Sequence, residues 1–69
     1  MKKEVIQKQI DLANADIIKN EVLIGYLETL KTDMKMTKEE KAKTDMKIEA
    51  LNRDIKFNKG YVKFASKLL

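Results

Sequence analysis

The 69-residue chain has no cysteine, histidine, proline or tryptophan, one arginine, one serine and two glycines. Each absence removes a class of chemistry. Without cysteine there is no disulfide framework. Without cysteine or histidine the usual zinc, haem and iron–sulfur ligand sets cannot be assembled. A Ser-His-Asp or Cys-His device lacks its base or its nucleophile. Gly25 and Gly60 stand alone, so there is no glycine-rich phosphate loop. Glu39 and Glu40, or Asp45 and Glu49 one turn apart, are the only paired carboxylates to weigh. Interleaved with lysines at helical spacing, they read as solvated ion pairs. The expectation is a protein that is not an enzyme and holds no metal or cofactor.

Long apolar runs are missing as well. Val22–Leu27 is the longest near-apolar stretch, against the roughly 20 residues a membrane-spanning helix needs. Glu4, Gln7, Lys8 and Gln9 interrupt the N-terminal segment where a signal core would lie. The cytoplasm is the expected compartment, with a membrane surface the least favoured partner. At 43% hydrophobic and 38% charged residues, the chain is too apolar for a disordered tail and too charged for a membrane protein. A chain this short buries only roughly 60% of its unfolded surface. With no covalent or metal staple, it must rely on regular helix packing or self-association.

The apolar residues that are present recur at helical spacing. Ile6, Ile10, Ala13, Ile17, Asn20, Ile24, Leu27, Lys31 and Met34 follow a 4-3-4-3 stagger. Thr44, Ile48, Leu51, Ile55, Asn58, Val62, Ala65 and Leu69 repeat it. Both are heptad seams, each interrupted by one asparagine of the kind that sets register. Between them, Thr37 followed three residues later by Glu40 forms a capping box that starts a second helix. The sequence predicts an all-α fold of one domain, an antiparallel two-helix hairpin. Helix 1 covers about residues 3–35, the turn 36–37, and helix 2 about 38–69. In that hairpin, seam positions whose numbers sum to 75 face each other. Gly60 leaves two options open. One is a second helix that continues through it, with or without a kink, as the uninterrupted seam spacing favours; the other is a short third helix after it. The pentapeptide KTDMK occurs at Lys31–Lys35 and again at Lys43–Lys47, flanking the turn.

Each helix carries more apolar surface than one partner helix covers. On the first, Leu12, Leu23 and Leu30 flank the seam, and Ile18, Val22 and Tyr26 lie further round. On the second, Phe57, Tyr61, Phe64 and Leu68 form the flank. Leaving such side chains exposed forfeits roughly 1.5–3 kcal/mol apiece. These ten residues are therefore the expected oligomer interface, with two hairpins making a four-helix bundle.

Fourteen of the fifteen basic residues are lysines, and the net charge is +4. The excess sits in the second half, where no acidic residue follows Asp54. Lys56, Lys59, Lys63 and Lys67 fall on one helix face, beside the aromatics Phe57, Tyr61 and Phe64. Arg53, these four lysines, Tyr61 and Tyr26 are the expected ligand-binding residues. The favoured reading is a small oligomeric inhibitor or sequestering protein, of the type encoded by phages and mobile elements. Its target is a protein or a small anionic, nucleotide-like ligand. A nucleic-acid binder using the Lys56–Lys67 face is the alternative, and a structural coiled-coil assembly element a further one.

Overall fold

The structure is a computed structural model that describes residues 2–69. Two helices, α1 (Lys3–Asp33) and α2 (Lys38–Ser66), pack antiparallel as a hairpin measuring 51 × 15 × 12 Å. Its buried residues belong to the two predicted seams: Ile6, Ile10, Ala13 and Ile17 on α1, and Thr44, Ile55 and Ala65 on α2. Ile6, Ile10 and Ala65 form one cluster with Val62 against it, which fits the register in which facing residues sum to about 75. The remaining interior seam positions are half-buried, Asn20 and Asn58 among them.

The helix ends depart from expectation by two or three residues. Helix α1 stops at Asp33 rather than 35, and α2 stops at Ser66 rather than 69. At the turn, Met34 is already extended, with its N–H donating to the Leu30 carbonyl. Met34, a predicted seam residue, is consequently exposed, and Met36 is half-buried in its stead. The Met36 sulfur sits 3.8 Å from the Thr44 hydroxyl, which also bonds the Glu40 carbonyl at 3.0 Å. The cause is the cap. Thr37 must be extended to receive the Glu40 N–H, so the residues before it cannot continue α1. At the other end, Leu69 lies past the last turn of α2, which stops at Ser66, and is exposed.

Gly60 does not end the second helix, since α2 runs through it without a break. Neither glycine has a positive φ, and a Cβ built on either meets nothing within 4 Å. The two KTDMK copies do different work. Lys31 of the first makes an ion pair with Asp45 of the second across the turn end of the hairpin.

The capping box is complete. The Glu40 N–H donates to the Thr37 hydroxyl at 3.1 Å, and the Thr37 N–H donates to the Glu40 carboxylate at 3.1 Å. Replacing Thr37 with alanine is expected to cost about 1 kcal/mol, read by chemical denaturation. The Thr37 backbone N–H and then its hydroxyl hold the Glu40 carboxyl below the usual carboxylate range. A depressed folded pKa stabilises above the unfolded value, and that contribution disappears as pH falls through the folded one. A glutamine variant keeps the box but not the titration. Wild type should therefore lose melting temperature relative to Glu40→Gln as pH falls below about 4.5, near the free-glutamate value. Parallel melting curves for the two proteins across that range would contradict this role.

Candidate functional site

Helical geometry divides each helix into a seam, two flanks and an outer face. The structure places one flank of α1 and one flank of α2 on the same side of the hairpin. Leu12 of α1 borders an open groove of about 310 Å³ with Phe57 and Tyr61 of α2. Leu23 borders another, of about 380 Å³, with Ala50 and Lys47. Towards the chain ends, Tyr61, Phe64 and Leu68 line a third of about 240 Å³ over Ile6. These grooves lie in one line along an apolar face. The opposite side carries Gln7, Asn14, Glu21 and Glu28 from α1 with Asp45, Asn52, Lys59 and Ser66 from α2, all exposed.

The predicted interface residues thus divide into two groups. Leu12, Leu23, Leu30, Tyr61 and Leu68 belong to the apolar face, with Phe57 and Phe64 at its outer rim. Ile18 and Val22 lie on the outer side of α1, 63% and 68% exposed, and Tyr26 lies between the two regions at 58%. Tyr26 and Tyr61 do not meet within one chain. In the observed register Tyr61 faces the level of residue 14, so the tyrosines are separated by about twelve residues of helical rise, roughly 18 Å.

The predicted ligand-binding residues also divide. Lys59 lies on the polar side of the hairpin, away from the aromatics. Tyr61 belongs to the apolar face and Tyr26 to α1, while Arg53, Lys56, Lys63 and Lys67 lie around Gly60. On a helix, the neighbours of any position are the residues three and four away. For Gly60 these are Lys56, Phe57, Lys63 and Phe64. Because α2 is continuous there, the four side chains ring a gap in the side-chain layer, with two lysines on one flank and two phenylalanines on the other. Arg53 and Lys67 extend the ring by two turns in each direction. Phe57 and Phe64 are 73% and 62% exposed, and no side chain of α1 covers the gap.

The sequence contained this ring as the spacing Lys-Phe-x-x-Gly-x-x-Lys-Phe, but it exists only if the helix passes through the glycine. Gly25 is the counterexample. Its neighbours at the same spacing are Glu21, Val22, Glu28 and Thr29, and the Thr29 hydroxyl bonds the Gly25 carbonyl at 2.9 Å. That gap is acidic and carries no aromatic ring. Among the described residues no group of three or more histidine, cysteine, aspartate or glutamate side chains is placed to hold a metal ion. No helix among them is long and apolar enough to cross a membrane. Compared with known proteins, the chain matches no family model, no curated protein and no solved structure, so its own residues carry the functional reading.

Proposed function

We infer that this chain is a non-enzymatic binding protein that acts by sequestering a small anionic ligand with a flat aromatic portion, of the nucleotide class. The observation that carries this reading is the ring about Gly60. Exposed phenyl faces on one flank supply stacking, which is worth about 1–3 kcal/mol per base where proteins bind single-stranded nucleic acid. The ammonium groups of Lys56 and Lys63 on the other flank supply ion pairing with phosphate. Gly60 lets the ligand approach the helix backbone between them, and no acidic side chain after Asp54 opposes the charge. An inhibitor that works by occupying a signal or substrate needs no more than this.

Two substitutions separate a shaped site from general attraction to a basic helix. With a nucleoside di- or triphosphate as the titrant, Lys56→Glu with Lys63→Glu should weaken binding by more than about tenfold, since it turns attraction into repulsion. Gly60→Leu fills the gap without changing charge and should weaken binding comparably. Calorimetry reads both, and circular dichroism confirms retained helicity. Binding that survives Gly60→Leu would reject the ring as the site.

Single-stranded nucleic acid is the second reading, favoured by the length of the basic row. Arg53 to Lys67 spans fifteen residues, or fourteen rises and about 21 Å of helix, enough to follow several phosphates. It predicts affinity that grows with oligonucleotide length and falls steeply with salt, roughly as the 0.7 power per phosphate neutralised. A mononucleotide ligand shows neither the length dependence nor the steep slope.

A further inference from the structure

The apolar face is a second seam. Along α2, Ala50, Asp54, Phe57, Tyr61, Phe64 and Leu68 repeat the 4-3-4-3 stagger of the buried seam, one flank over. Along α1, Leu12, Asp16, Lys19, Leu23, Tyr26 and Leu30 do the same. A helix with two adjacent seams is built to contact two neighbours, as in a four-helix bundle, and this chain supplies only one. The accessible surface points the same way. At 5684 Å², it exceeds by about 1,200 Å² the roughly 4,450 Å² expected of a compact 8.0 kDa protein. A standard interface covers about 800 Å² on each partner.

We propose that a second copy of this chain docks on the Leu12–Leu23–Tyr61 face, forming a two-fold four-helix bundle with both turns at the same end. The arrangement closes at two copies through this face, because the opposite side of the hairpin is polar along its whole length. The charges on the face select the orientation. In the observed register Asp54 lies level with residue 21 of α1, within about 3 Å of the level of Lys19. A two-fold axis along the hairpin sets α1 against α2 of the second copy, so Lys19 meets the second copy's Asp54. Reversing one hairpin sets α1 against α1 and α2 against α2. α1 then brings Asp16 and Lys19 against the same two residues of the second copy, and α2 brings Asp54 towards Asp54. The Lys19–Asp54 pairing is lost while the like charges on α2 repel. Gly60, Lys56 and Lys63 stay on the outer side of α2 in this bundle, whereas Phe57 and Phe64 are shared between the second seam and the Gly60 ring. The dimer is read by mass in the absence of nucleotide, so it stands or falls separately from nucleotide binding.

Light scattering on size-fractionated protein tests the inference. Wild type should weigh twice the 8.0 kDa chain mass and melt at a temperature that rises with concentration. Leu12→Lys with Leu23→Lys should halve the mass while the protein stays helical, because both side chains are exposed in the single hairpin. Glu21→Lys with Glu28→Lys, on the polar side, should leave the doubled mass unchanged. Lys19→Asp or Asp54→Lys alone should weaken the dimer, and the two together should restore it. A wild-type mass of one chain, or a doubled mass indifferent to Leu12→Lys with Leu23→Lys, overturns the dimer. Failure of the charge exchange to restore association overturns the orientation.

Discussion

Ile10→Ala is expected to unfold a large fraction of the protein at room temperature, while Val22→Ala leaves it intact. Ile10 is 6% exposed and sits against Ala65, whose small side chain leaves Ile10 to fill most of that layer. Removing a buried isoleucine to alanine costs about 2–5 kcal/mol, because the surroundings collapse only partly into the cavity. Total stability at roughly 0.05–0.15 kcal/mol per residue is about 3–10 kcal/mol for a chain of this length. A single truncation in the seam thus consumes much or all of it. Val22 is 68% exposed on the outer side of α1, and changes at such sites stay within about 0.5 kcal/mol. Urea denaturation followed by helical circular dichroism compares the two. Similar midpoints for both variants would mean that the seam is not where the stability resides.

The second large effect is a gain. Gly25→Ala combined with Gly60→Ala should stabilise the protein by about 1–2 kcal/mol, since helix-interior glycine costs roughly 0.5–1 kcal/mol each relative to alanine. Neither site resists the added methyl, as a Cβ at either position meets nothing within 4 Å. At about 4–8 °C per kcal/mol for a domain of this size, the melting temperature rises by several degrees or more. The two glycines should differ in what the gain does to ligand binding. Alanine at 60 raises the floor of the Lys56–Phe57–Lys63–Phe64 ring and should weaken nucleotide binding. Alanine at 25 should leave binding as it was. Retaining a destabilising glycine where a gap is useful is the familiar opposition between stability and function. A Gly60→Ala protein that is both more stable and equally tight would remove the reason for the gap.

The sequence alone determined the hairpin, and the reason is the strength of its periodic signal. Two seams of eight or nine positions, a capping box between them and no proline leave one economical arrangement. Burial of Ile6, Ile10, Ala13, Ile17, Ile55 and Ala65 follows from that spacing. The exchange of Met34 for Met36 was not legible, because it depends on how far the extended Thr37 cap pulls the chain out of α1. Local spacing could identify the apolar flanks, but not the side of the hairpin to which each belongs. That is decided by packing: antiparallel pairing brings the Leu12 and Leu23 flank beside the Phe57 and Tyr61 flank and leaves the other side polar. The same holds for the candidate site. Arg53, Lys56, Lys63 and Lys67 were readable as a basic segment beside aromatics, yet Lys59, Tyr61 and Tyr26 were grouped with them. The structure places Lys59 on the polar side, Tyr61 on the apolar face and Tyr26 on α1. Residue types and spacing carry information about one helix at a time. Which faces meet depends on the second helix, and only its docking gathers Leu12, Leu23 and Tyr61 on one side of the hairpin and leaves Gly60 with Lys56 and Lys63 on the outer side.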